Sequence, residues 1–199
     1  NQVMKMGTGA IEIKSGYGLT LDAELKMLRV IKRLKENTDV TIKATFLGAH
    51  ALPIEYKDNK EGYMNLIINK MLPIVAKEGL ADYVDIFCED EYFTVEDTKN
   101  LLTAANKLGI PSKTHVNQFN AIGGIKASVD LGALSVDHLE EMVEEDYEAL
   151  KGSNCMPTAL PSCSFFLGIP YSPAVKMINK GLPIALASDY NPGSTPSGN

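Results

Sequence analysis

Short apolar, β-branched stretches alternate along this chain with longer segments in which apolar residues recur every three or four positions. The short stretches predict strands over Ala10–Ile13, Thr41–Leu47, Tyr83–Cys88, Ser112–His115, Leu134–Asp137, Asn154–Thr158 and Ile184–Ser188. The longer segments predict helices between them. Leu21, Leu25, Leu28 and Leu34 mark one face of an amphipathic helix between the first two strands. Tyr63–Lys77 reads as another, kinked or broken at Pro73, which brings no amide hydrogen to the helix. Thr94-Val95-Glu96-Asp97 has the form of a capping box opening a third helix. Its Leu101, Leu102, Ala105 and Leu108 should point inward, and Gly109 should end it in a left-handed conformation.

Strands separated by helices imply parallel pairing, because a parallel connection needs a crossover of about a dozen residues or more. Seven strands suit a doubly wound sheet and equally a (β/α)8 barrel short of one strand. Periodicity does not choose between them.

Composition narrows the class. At 199 residues, with 45% hydrophobic and 22% charged, the chain reads as a globular protein with one sizeable core rather than two full domains. A net charge of −6 and a pI near 5.1 leave no basic surplus to neutralise phosphates, so neither nucleic acid nor an anionic membrane is expected as a partner. No apolar run approaches the roughly 18 residues of a membrane span, and the opening residues lack a signal-peptide pattern. Cys88, Cys155 and Cys163 form neither a disulfide framework nor a Cys-x-x-Cys site, which suits a reducing cytoplasm. The chain starts without Met and stops on Gly193-Ser194-Thr195-Pro196-Ser197-Gly198-Asn199, just past a strand, which reads as a piece of a longer protein.

The polar residues at the strand ends are the informative ones. Only three histidines occur, and His50, His115 and His138 each close a predicted strand. Glu89 closes the third strand and Asp189 the seventh. Parallel α/β folds carry their chemistry on the carboxyl edge of the sheet, so topology would gather these five groups. Taken singly, each His reads as readily as a hydrogen-bonded structural residue. Taken together, imidazole and carboxylate without cysteine suit zinc or iron, and a divalent ion that brings the pKa of water down to about 7 supports hydrolysis near neutral pH.

Several motifs carry a resemblance. Glu12-Ile13-Lys14-Ser15-Gly16-Tyr17-Gly18-Leu19 and Phe46-Leu47-Gly48-Ala49-His50-Ala51-Leu52-Pro53 resemble two motifs of the imidazolonepropionase family of amidohydrolases. Phe87-Cys88-Glu89, Lys113-Thr114-His115, Asp137-His138-Leu139-Glu140 and Ser188-Asp189-Tyr190-Asn191-Pro192-Gly193-Ser194 are similar to the others, in the same order. The resemblance implies a (β/α)8 barrel of the amidohydrolase kind, of which this chain holds strands two to eight, without the small β-domain. It implies hydrolysis of the ring amide of 4-imidazolone-5-propanoate to N-formimidoyl-L-glutamate, a step of histidine breakdown. It also implies one metal, zinc or iron, with His115 and Asp189 as ligands. The family's His-x-His pair of the first strand is absent from this sequence, so two further ligands are expected elsewhere, and the chain alone is expected to be inactive.

By the same resemblance Asp189 acts on the attacking water and His138 is a proton carrier or transition-state partner. Tyr17, His50, Gln118, Asn191, Gly193 and Ser194 hold the substrate. Gln118 can orient the ring but cannot act as a base. Residue types alone permit plainer roles. Asp189 and Tyr17 suit turns, His138 could be a structural partner of Asp137 or Glu140, and Glu89, next to Asp90 and Glu91, suits a solvated acidic loop. Cys88 and Cys155 suit buried small hydrophobes. Another amidohydrolase, such as a cyclic amidase or a deaminase of a base or guanidine, shares the metal residues, and an inactive truncated barrel is the reading from a different class. The partner expected is a small molecule, and an open parallel edge invites self-association.

Overall fold

β-Branched and aromatic residues build the strands where the alternation predicts them. The computed structural model describes residues 2–196, so Asn1 and Ser197-Gly198-Asn199 lie outside the described residues. Residue packing divides the chain into two compact units, Asn1–Phe87 with Asn100–Ser112, and Cys88–Lys99 with Lys113–Asn199.

In the first unit a short helix α1 (Gln2–Lys5) precedes β1 (Ala10–Lys14), α2 (Leu21–Lys35) and β2 (Thr41–Ala49). β1 and β2 run parallel, from Ala10 opposite Thr41 to Lys14 opposite Thr45. β3 (Tyr83–Cys88) adds in parallel on the other side of β2, and one extra β2 residue is absorbed between Phe46 and Ala49. Such a bulge bends a strand and re-aims the side chains beyond it. Here it lies just before His50, and Tyr63 fixes it by donating its buried hydroxyl to the Gly48 carbonyl at 2.8 Å. Helix α2 is capped by Thr20, whose hydroxyl accepts from Ala23 N–H at 3.3 Å. It buries Leu25, Leu28 and Ile31, each a side chain whose burial stabilises by about 1.5–3 kcal/mol. Leu34, expected on this face, is 46% exposed. It stands six residues beyond Leu28, about 120° round the axis at 3.6 residues per turn, so Ile31 takes its place.

The stretch around Pro73 neither breaks nor stays regular. α3 (Lys60–Leu66) runs into a π-helical turn (Ile67–Met71) and then α4 (Leu72–Glu78). A π turn re-routes the backbone bonds, which accommodates the amide that proline lacks.

Helix α5 (Val95–Lys107) opens as its sequence predicts. Thr94 Oγ accepts from Asp97 N–H at 3.1 Å, and the Asp97 carboxylate accepts from Thr94 N–H at 2.9 Å. It closes with Gly109 at φ 72° and Ile110 N–H donating to Ala105 O, a Schellman end. Leu101, Leu102 and Ala105 are buried, but Leu108 is exposed because it occupies the capping position, where the chain leaves the helical face.

The second unit holds β4 (Lys113–Val116), α6 (Gly124–Asp130), β5 (Ser135–His138), α7 (Glu144–Leu150), β6 (Met156–Ala159), α8 (Pro161–Leu167), α9 (Ala174–Asn179) and β7 (Ala185–Leu186). β4, β5, β6 and β7 pair in that order, all in parallel. β7 is shorter than its predicted span, with only Ala187 N–H to Ala159 O continuing the ladder beyond it. Among the described residues no helix is long and apolar enough to cross a membrane.

Candidate active site

The expected site residues stand in the last positions of strands or beyond their ends, and the backbone there is unusual. Asn117 after β4 (φ 56°), His138 and Leu139 at the end of β5 (88° and 68°), and Asp189 after β7 (51°) all adopt left-handed conformations. Such conformations cost non-glycine residues roughly 1–3 kcal/mol each and cluster where geometry serves function.

In the second unit, register places His115 opposite Asp137 on neighbouring strands, so both side chains share one face. A ring nitrogen of His115 and a carboxylate oxygen of Asp137 lie within 4.8 Å of one another. Asp137 also accepts from Ser135 Oγ at 2.8 Å and lies 3.7 Å from the Lys113 ammonium. Strict alternation would send His138 to the opposite face from Asp137. The positive φ at His138 swings its Cβ away from that course, and its ring centroid comes 5.2 Å from that of His115. Both residues are buried, at 6% and 3% exposure. His138 Nδ1 lies 3.7 Å from Glu140 Oε2, so of the two structural partners considered for it, Glu140 is the one its ring nitrogen faces.

Asp189, Asn191, Gly193 and Ser194 form one turn. Asn191 Oδ1 accepts from the Gly193 and Ser194 amides at 2.8 and 2.9 Å, and Ser194 Oγ donates to Asp189 Oδ2 at 2.7 Å. Reciprocal backbone bonds between Asn191 and Thr195 close it. Gln118 is buried and donates its amide to Cys163 Sγ at 3.6 Å. Burial, then the neighbouring Asp189 carboxylate, pushes the Cys163 thiol up to about 12, so it is a packed apolar group rather than a nucleophile.

The first unit carries Tyr17 and His50. Their rings meet edge to face, with centroids 5.2 Å apart. His50 Nδ1 lies 3.0 Å from Gly16 O. A carbonyl only accepts, so the proton sits on Nδ1, and in the neutral ring Nε2 carries the lone pair. Gly16, at φ 102°, allows this approach; a Cβ there would stand 2.7 Å from Leu47 O.

Three residues central to this geometry have no signal in local periodicity. Glu24, fully buried, accepts from the amides of Gly16, Gly18 and Leu19 at 2.8–3.1 Å and so fixes the loop bearing Tyr17. An acid in a first helical turn directly after a glycine-rich loop is the one sequence cue for it. Glu140 and Ser164 are joined by a 2.8 Å hydrogen bond. Glu89 is no solvated loop residue. It is 2% exposed and accepts from Phe119 N–H, Asn120 N–H and Asn120 Nδ2, tying down the segment after β4. Of the apolar roles expected for Cys88 and Cys155, both hold. Burial raises the thiols to about 11 and about 12.

As a test of fit to a metal, the second unit offers His115 and Asp189, donors of the types zinc accepts, with Asp189 oriented by Ser194. A catalytic zinc usually takes three protein ligands, so two donors of these types are too few to complete a set by themselves.

No family model matches the chain. Curated relatives do. It is 65% identical over 198 residues to the imidazolonepropionase of Christiangramia forsetii, and 65% identical over 198 residues to that of Flavobacterium johnsoniae; each match covers 100% of this chain and 48% of the relative. The Fusobacterium nucleatum imidazolonepropionase is 47% identical over 197 residues, covering 99% and 48%. The chain thus spans about half the length of the curated relatives it matches. Among solved structures, it resembles atrazine chlorohydrolase of Arthrobacter aurescens complexed with zinc and atraton (TM-score 0.72, 11% identity, covering 99% of this chain and 49% of that one). It also resembles 5-methylcytosine deaminase of Klebsiella pneumoniae liganded with 5-fluorocytosine (TM-score 0.71, 12% identity, 99% and 54%). At such identities these likenesses speak for the fold alone, that of a TIM-type (β/α)8 barrel. Over its entire length, the chain is similar in sequence to imidazolonepropionases.

Proposed function

We propose that the full-length protein carrying this chain hydrolyses the ring amide of 4-imidazolone-5-propanoate to N-formimidoyl-L-glutamate, in the cytoplasm, as a step of histidine breakdown. The observation that carries this reading is the 65% identity to imidazolonepropionases across the whole chain. His115 and Asp189 would hold one metal, zinc or iron, with further ligands from the rest of the protein. When bound, that ion supplies Lewis-acid polarisation and brings the pKa of water down to about 7.

The chain's own residues supply the rest. Water's oxygen joins the ring carbonyl carbon, the ring C–N bond breaks, and a proton passes to the departing nitrogen. Asp189 takes the water's proton, and His138 assists its delivery. Ser194 keeps the Asp189 carboxylate oriented. Tyr17 and His50 bind the substrate, as do Asn191, Gly193 and Ser194. Gln118 orients the ring through its amide, whose nitrogen is directed at Cys163. Binding of the propionate arm holds the ring for attack. The partner is a small molecule, and for this chain by itself self-association through open strand edges completes the reading; sedimentation of the chain as a stable monomer would count against that last element. Three buried free cysteines agree with a reducing compartment.

The test is loss of the substrate's ring absorbance with the metal-replete full-length protein, with His115→Ala and Asp189→Ala as controls. Metal-dependent turnover abolished by both substitutions is expected. No turnover by the metal-replete protein would reject the substrate and direct the search to other cyclic amides and amidines.

A further inference from the structure

Glu140 sits two residues beyond His138, and its side chain is 0% exposed. One oxygen, Oε1, is held by Ser164 Oγ at 2.8 Å, from the first turns of α8. The other, Oε2, is fully buried and has no hydrogen-bond partner among the described residues. A buried carboxylate oxygen in that state is costly unless a donor stands ready for it. The donor in view is His138 Nδ1 at 3.7 Å, longer than a hydrogen bond and close enough for a small side-chain rotation to make one. The His138 backbone is held too, its carbonyl accepting from Ser172 Oγ at 2.6 Å. Ser164 therefore sets the carboxylate's rotation, Ser172 sets the strand end, and Oε2 is aimed at one edge of the imidazole.

We propose that Glu140, oriented by Ser164, is the positioning residue that keeps the His138 proton on Nδ1 and presents Nε2 to the reaction. A carboxylate accepts only, so its partner nitrogen must carry hydrogen, and the second ring nitrogen is then the one able to take a proton. The inference rests on the proposed function for the role of His138, but not for the tautomer itself. Glu140 touches no reacting atom; it acts through the ring.

The experiment uses the full-length, metal-replete protein with 15N-labelled histidine. Long-range proton–nitrogen spectra report which ring nitrogen carries hydrogen, and the His138→Asn variant assigns the His138 signals. Wild type should show His138 protonated on Nδ1. Glu140→Ala should move the ring toward the Nε2–H form and lower kcat roughly 10- to 1,000-fold, a part of the roughly 100- to 10,000-fold that a positioned proton-transfer group contributes, with KM changed far less. Glu140→Gln, which keeps an acceptor, should restore most of both. Ser164→Ala should shift the same signals by less, and it stands in if Glu140→Ala fails to fold. A wild-type ring protonated on Nε2 alone, or ring signals unmoved in a folded Glu140→Ala or Ser164→Ala protein, overturns the proposal. Absence of turnover by wild type would reject the substrate assignment, while the ring signals still decide this one.

Discussion

The loop after β1 and the turn after β7 are both short, glycine-bearing and expected to hold substrate, yet they are built in different ways. The first is anchored from outside itself. A fully buried Glu24 on α2 gathers three of its amides, and Ser15 Oγ accepts from Leu47 N–H on β2 at 3.0 Å. The second is self-contained, with Asp189, Asn191 and Ser194 bonding to one another and Gly193 exposed. An externally anchored loop shares the stability of the core, so damage to it shows as unfolding. A self-contained turn can change shape while the core stands, so damage to it should show in activity first.

The largest break in that contrast is Glu24→Ala. Three amides lose their acceptor in a buried setting, at about 1–3 kcal/mol per unsatisfied group before any rehydration. A loss of about 3 kcal/mol or more is expected from urea unfolding, with Glu24→Gln recovering part of it. A loss below about 1 kcal/mol would mean that water replaces the carboxylate and that the anchor is nominal.

Gly16→Ala should cost about 2–4 kcal/mol, because φ 102° is strained for alanine and the new methyl meets Leu47 O at 2.7 Å. Gly193→Ala, whose added carbon meets nothing nearer than Asn191 Oδ1 at 3.4 Å, should stay within about 0.5 kcal/mol. Equal losses at the two glycines would erase the distinction. Ser194→Ala should cost about 1 kcal/mol or less in stability. On the proposed function it should lower kcat/KM by roughly tenfold or more, the scale of a lost hydrogen bond to a charged group. Steady-state kinetics beside a urea titration separates the two effects.

Much of this architecture is legible in the chain. All seven strands fall where alternation puts them, because β-branched runs of this length have few other uses. The placement of His50, His115, His138 and Asp189 at strand ends follows from topology, which sequence order reveals. What remained hidden is long-range or angular. Leu34 and Leu108 read as inward because they are leucines at nearly helical spacing, but one lies about 120° off the face and the other caps the helix. Glu89 reads as a loop acid and Glu24 carries no mark in the periodicity, since nothing local shows which amides will surround a carboxylate after folding; Glu140, one of two acids considered beside His138, gives no sign of the hydroxyl that orients it. The bond between Glu140 and Ser164 joins residues 24 positions apart. The left-handed backbone at His138, which brings its ring beside His115, has no cue at all in a non-glycine residue.

The smallest expected effect concerns the thiol beneath the second turn. All three cysteines belong to the second unit and are buried. Their raised values mean that the folded state holds these protons more tightly than the unfolded chain, whose thiols titrate near about 8.5. Their contribution to stability is therefore complete below that pH and is lost as pH rises toward about 11 for Cys88 and about 12 for Cys155 and Cys163. Alkaline conditions should loosen the second unit while leaving the Glu24 anchor of the first unit unaffected by this cause. Cys163 packs against Asp189 and Ser194 and is 0% exposed, so iodoacetamide should leave it unmodified in the folded protein at pH 7 to 8. Ser194→Ala should raise its labelling rate several-fold at the same pH by loosening the turn above it, and Glu24→Gln should raise it only as far as global unfolding does. Labelling of Cys163 at the wild-type rate in Ser194→Ala would mean that the turn does not cover the thiol, and that its bonds serve only to orient Asp189.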